Sequence, residues 1–184
     1  SMTLVMMTAL SVTRETERGT MESLLATPAQ PIEVMIGKLA PYVMVGALQT
    51  IVILVMASVL FHVPMAGGWI ALVTGVLMFI TGSLALGFLI STAARTQLQA
   101  MQMSFFYMLP SILLSGFMFP FRGMPGWAQA IGEAIPVTHF LRVVRGALLK
   151  GEGLTTLWPS HVALGIFVCV VTALAMLRYR RTLD

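Results

Sequence analysis

Long apolar runs separated by short polar breaks set the pattern of this chain, and one break is unlike the rest. Residues 39–61 (LAPYVMVGALQTIVILVMASVLF), 69–93 (WIALVTGVLMFITGSLALGFLISTA), 99–119 and 158–177 are each long enough to be a membrane-spanning helix, which takes about 20 apolar residues. HVPMAGG makes a Pro/Gly turn between the first two. Trp69 and Trp158 stand at the mouths of their runs, where aromatic side chains suit the membrane–water interface. Pro110 and the glycines inside these runs are compatible with spans, because neighbouring helices re-satisfy the backbone. The opening residues 1–13, SMTLVMMTALSVT, are apolar but too short to cross. Without a basic leader or a small-residue cleavage site, they are expected to be the end of a span whose start lies outside this chain.

The exceptional break is 14–38, RETERGTMESLLATPAQPIEVMIGK. It holds Arg14, Glu15, Glu17, Arg18, Glu22, Glu33 and Lys38, while Leu39 to Ala94 hold no charged side chain at all. Hairpin connections between helices usually take about 2–8 residues, so this one is long. Read as a helix from Arg14 to Ala26, it sets Met21, Leu24 and Leu25 on one stripe and Glu15, Arg18 and Glu22 on another face. Gly19 and Thr20 interrupt the pattern as a bend or a fresh cap. Thr27-Pro28 ends the element, because a residue before proline disfavours the α region. Pro31 is placed to open the next helix.

The stretch 120–157 has its own helical signals. Trp127, Ala128, Ile131 and Ile135 follow Pro125 at helical spacing, and Phe140, Val143, Val144, Ala147 and Leu148 follow Pro136. Gly151 reads as a stop. Two short amphipathic helices, lying in the interface or dipping back into it, fit this pattern.

Composition agrees with a membrane protein. The chain is 58% hydrophobic and 10% charged, against roughly 25% charged in an average soluble domain. The net charge of +4 is dispersed along the chain and gives no nucleic-acid patch. Basic residues set the orientation. Arg14, Arg18, Lys38, Arg95, Arg178, Arg180 and Arg181 fall on one face, and Arg122, Arg142, Arg145 and Lys150 on the other. The positive-inside rule therefore puts 14–38 in the cytoplasm and 120–157 outside. Cys169 stands alone, so neither a disulfide framework nor a CxxC metal site is expected. The methionines read as adaptable apolar filler, and no metal site is expected. His62, His139 and His161 are expected at loop or interface positions, as polar anchors.

RETERGT followed by ESLLATP, then IGK at Ile36–Lys38 and LLSGFMFPFRGMPGWAQAIGEAIPVTHFLRVVRGALLKG from Leu113 to Gly151, resembles the type-2 ABC transporter permeases. The first stretch is similar to their cytoplasmic coupling helix and the second to their last external region. The resemblance implies an all-α, polytopic transmembrane helix bundle in a bacterial inner membrane, with a cytoplasmic coupling helix and short external re-entrant or interfacial helices. It implies six spans per subunit, of which this chain would hold the end of the second and all of the third to sixth. It also implies a working unit of two permeases, as a homo- or heterodimer, and two cytoplasmic ABC ATPase subunits. No GxxxxGK[ST] run surrounds Lys38 or Lys150, so ATP and Mg are expected on the ATPase and no catalytic residue or cofactor on this chain.

On that reading Arg14, Glu15, Glu17, Arg18 and Glu22 meet the ATPase. Met21, Leu24 and Leu25 pack into its groove, and Gly19 and Thr20 set the bend. The fifth span is expected to face the translocation path with Gln102, Tyr107, Ser111 and Ser115, among aromatic and methionine side chains that suit an amphiphilic drug, lipid or glycolipid. Helix packing is the competing reading of those same small polar residues. A secondary transporter would need an ionisable residue within a span, and 39–94 has none. A membrane-embedded enzyme would need a convergent nucleophile and base. An assembly or scaffold role on the same architecture stays open.

Overall fold

A computed structural model describes residues 2–17, 31–63 and 66–181. Among these the chain is all-helical, with seven α-helices and one 3₁₀ turn: α1 (Met2–Glu17), α2 (Pro31–Phe61), α3 (Trp69–Ala93), α4 (Gln97–Leu114), the turn Phe121–Gly123, α5 (Gly126–Ala134), α6 (Pro136–Lys150) and α7 (Leu154–Arg181). Three helices are long and apolar enough to cross a membrane, over Ala40–Phe61, Trp69–Ala93 and Leu154–Arg178. The chain is a multi-pass membrane protein.

Several bounds differ from the sequence expectation, each for a local reason. The expected span 99–119 is instead the 18-residue helix α4, which is not among those three. Gln97, Gln99 and Gln102 weaken its apolar character, and Gly116, at φ +79°, turns the chain just beyond Leu114. At about 1.5 Å per residue α4 is some 27 Å long, just short of a hydrocarbon core about 30 Å thick. The last span begins at Leu154, earlier than 158, because the chain re-enters a helix directly after Gly151–Gly153. The charged break is also shorter than its sequence limits. Arg14–Glu17 complete α1, and residues 31–38 already belong to α2.

The chain divides into two compact units, and α2, α3, α4 and α7 each give one stretch to both. The first unit contains residues 1–46, 80–107 and 169–184. Its packing is built around α1. Leu4, Val5, Ala9 and Val12 are buried, as are Thr8 and Thr13. Thr13 hides its hydroxyl by donating to the Ala9 carbonyl at 2.7 Å, a return to the helix's own ladder. Val12 packs with Phe88 and Ala175, and Ala9 with Ala94 and Ala100. α1 and α3 come close at Gly87 of α3, where an added methyl would sit 2.6 Å from the Val5 carbonyl oxygen. Small residues let membrane helices come this close. α1 is thus a packed element of the unit.

The second unit contains residues 47–79 and 108–168. Its core joins Ala71, Leu72 and Phe79 of α3 to Val143, Ala147 and Leu148 of α6 and to Leu157 and Leu164 of α7. Phe79 and Phe140 stack with ring centroids 4.1 Å apart. His161, expected at an interface, is instead buried in this core. One ring nitrogen lies 3.0 Å from the Leu157 carbonyl oxygen, and the other lies 2.9 Å from that of Ala71 and 3.1 Å from the Thr74 hydroxyl. The early start of α7 puts it there, two turns inside the helix.

Candidate functional site

The charged end of α1 meets the start of α4. Thr96 caps α4 by accepting the Gln99 backbone N–H at 3.2 Å, and the Gln99 side chain reaches back to accept the Arg95 N–H at 2.8 Å. This is close to the reciprocal Thr-x-x-Gln capping box, a signal present in the sequence that sequence reasoning passed over. One orphan donor of that helix start, the Gln97 N–H, goes to a different element: Glu17 Oε1 accepts it at 3.1 Å. The Gln97 side-chain amide donates to Glu17 Oε2. These bonds, the side-chain one first, hold the Glu17 carboxyl below its ordinary value. A carboxylate here also meets the positive end of the α4 dipole. Glu17, expected to face an ATPase, is therefore bonded to Gln97 within its own chain.

Of the other residues expected to couple to an ATPase, Arg14 is exposed and Glu15 half-buried at the end of α1. Arg18, Gly19, Thr20, Met21, Glu22, Leu24 and Leu25 lie outside the described residues.

The four residues expected along a path do not share one exposed face of α4. Gln102 is exposed, Tyr107 half-buried, and Ser111 and Ser115 are buried at 1% and 3% exposure. Ser104 is buried too and returns its hydroxyl to the Ala100 carbonyl at 2.8 Å. Ala100, Ser104 and Ser111 thus form the inward stripe of α4, with Ser115 buried just past its end and Met101, Phe105, Phe106, Leu109 and Leu113 exposed. For the serines, burial favours the packing reading of small polar residues.

A second polar cluster holds α5 and α6. The Thr138 hydroxyl donates to the Gly132 carbonyl at 2.6 Å, and His139 bonds the Glu133 carbonyl at 2.8 Å. Arg142 forks onto the Glu133 carboxylate, one bond being 2.9 Å, and lies 4.9 Å above the Phe121 ring. The Arg142 hydrogen bonds hold the Glu133 carboxyl below its ordinary value, against a smaller opposing effect of burial. Arg145 donates to the Gly116 carbonyl at 3.3 Å, just past the C-terminal end of α4, where a cation suits the helix dipole. Sequence reading placed Arg142 and Arg145 off the apolar stripe of α6 without assigning them partners.

Residues 1–149 match the family described as ABC-2 type transporter. The chain is 34% identical over 179 residues to the "Probable multidrug ABC transporter permease YbhS" of Escherichia coli K12, covering 97% of this chain and 48% of that protein. It is 31% identical over 178 residues to the "Probable multidrug ABC transporter permease YbhR" of the same organism, with the same two coverages. With the "Inner membrane transport permease YhhJ" of E. coli K12 it shares 28% over 184 residues, covering 100% of this chain and 49% of that one. The chain spans about half the length of these curated relatives. No solved structure matches it. The charged break, the apolar helices and a match running from residue 1 to 149 agree, and the chain belongs to the ABC-2 type transporter family.

Proposed function

We propose that this chain is the membrane-embedded portion of a permease subunit of an ATP-driven ABC exporter in a bacterial inner membrane. The carrying observation is the family match over residues 1–149, with a charged segment set between α1 and α2. Three similar proteins bear permease names, two of them multidrug permeases, and this supports an amphiphilic cargo such as a drug, lipid or glycolipid. ATP and Mg are handled by a separate cytoplasmic ABC ATPase, and two permeases, alike or different, complete the unit. Arg14, Glu15, Arg18 and Glu22 make polar contacts to that ATPase. Met21, Leu24 and Leu25 fill its groove, and Gly19 and Thr20 set the bend between them. ATPase closure favours one arrangement of the spans over the other, which is the condition for coupling.

The test is co-purification of the full-length permease with its ABC ATPase from membranes. Glu15→Arg and Glu22→Arg are expected to lose the ATPase while the permease inserts at unchanged level. Full retention of the ATPase by both variants would overturn the docking role of this segment.

A further inference from the structure

The Glu17–Gln97 contact joins two elements that carry different parts of the proposed function. Glu17 is the last residue of α1, within the stretch from Arg14 to Leu25 assigned to the ATPase. Gln97 is the first residue of α4, the helix that carries exposed Gln102 and the aromatic and methionine face. Both bonds to Glu17 lie where the end of α1 meets the first residue of α4. The two helices also share a buried cluster of Ala9, Ala94 and Ala100. α4 is therefore tied to α1 by an apolar contact and, at its tip, by a carboxylate.

We infer that Glu17 is a positioning residue, which passes movement of the ATPase-docking segment to the start of α4 by holding the Gln97 N–H and side chain. The inference rests on the permease reading and assigns Glu17 a role inside the membrane subunit instead of at the ATPase surface. An exposed carboxylate bonded to one neighbouring residue would add little to stability. Its value here is geometric, because the acceptor sits on the element that moves.

Three substitutions separate this role from simple folding. Glu17→Gln keeps a carbonyl oxygen that can accept the Gln97 N–H, whereas Glu17→Ala removes the acceptor. Gln97→Pro removes the donor at the first helical position, where proline is well tolerated, and so breaks the same bond from the other side. The experiment uses the full-length permease with its ABC ATPase in phosphatidylethanolamine–phosphatidylglycerol vesicles. Native cysteines, Cys169 included, are replaced, and Gln102→Cys serves as a reporter on α4. A membrane-impermeant maleimide measures labelling of that cysteine with and without ATP plus vanadate.

With Glu17 present, trapping is expected to change the labelling rate by ~5-fold or more, the lower end of ordinary coupling between sites. Glu17→Ala and Gln97→Pro are expected to abolish the change while the ATPase still co-purifies, and Glu17→Gln to retain it. An unaltered response in Glu17→Ala overturns the inference. So does loss of the ATPase from that variant, which would make Glu17 a docking residue, or a parent complex in which trapping leaves labelling unchanged. If the parent permease binds no ABC ATPase at all, the permease reading itself fails, and the inference fails with it.

Discussion

Two glycines that look alike in the sequence have opposite roles. Gly87 and Gly165 both lie inside apolar helices. An added methyl at Gly87 would meet the Val5 carbonyl oxygen at 2.6 Å and Thr8 Cβ at 2.9 Å, whereas one at Gly165 meets nothing within 4 Å. Gly87→Ala is expected to cost ~1–3 kcal/mol, the usual range for overpacking against backbone. Gly165→Ala is expected to be neutral or to stabilise α7 by up to about 1 kcal/mol, from helix propensity alone. Thermal unfolding of the two purified variants in detergent checks the contrast; equal shifts would remove the close α1–α3 contact from the account. Serine presents the same problem. Nothing in the letters of Ser111 and Ser115 separates a path residue from a packing residue, and their burial favours packing.

At the scale of elements, α5 and α6 form a small polar-locked pair. Proline starts α6 and Gly151, at φ +65°, ends it in the left-handed conformation that glycine adopts without strain. Those limits were readable from the sequence, since Pro136 and Gly151 each dictate local backbone. The Glu133–Arg142 fork was not, because the two residues belong to different helices and meet only once the turn between them is built. The folded carboxyl of Glu133 is held below its unfolded value by Arg142. Its contribution is therefore fully present above the unfolded value of about 4.3 and is lost as pH falls through the lower folded value. With the partners 41% and 45% exposed, the contribution is ~1 kcal/mol or less. Amide hydrogen exchange in α5–α6 is expected to accelerate modestly between pH 7 and pH 3.5, relative to its intrinsic rate. Glu133→Gln should show no such pH step, and an equal step in that variant would sink the assignment.

Across the whole molecule, the apolar helices are used very differently. Inside the chain, 6% of an 18-residue apolar stretch of α2 is buried, against 56% for α3 and 28% for α7. α3 is the internal packing helix, while α2 turns Met44, Leu48, Ile51 and Ile53 outward. Leu84→Ala, at a side chain 1% exposed, is expected to cost ~2–5 kcal/mol. Leu48→Ala, at 63% exposed, should fall within about 0.5 kcal/mol in a detergent-solubilised monomer. Comparable losses at both positions would mean that α2 is packed against protein. Leu48→Asp, by contrast, should lower the inserted amount, since a carboxylate at a helix centre costs about 2.5–3.5 kcal/mol on insertion.

Run length and charge alone determined that this chain crosses a membrane more than once, because a bilayer rejects charge whatever the neighbours are. They also marked the charged break after α1 as the segment that must leave hydrocarbon, and proline and glycine marked several helix ends. The tertiary structure decided what periodicity leaves open among uniformly apolar helices. It buried α1 and α3, exposed α2, ended α4 at Leu114, turned Ser111 and Ser115 inward and drew His161 into a core. It also gave Glu17 to Gln97 and Glu133 to Arg142. Each of these depends on which surfaces meet, and in a chain with so little polar contrast the meeting is set by side-chain size and by a few long-range hydrogen bonds.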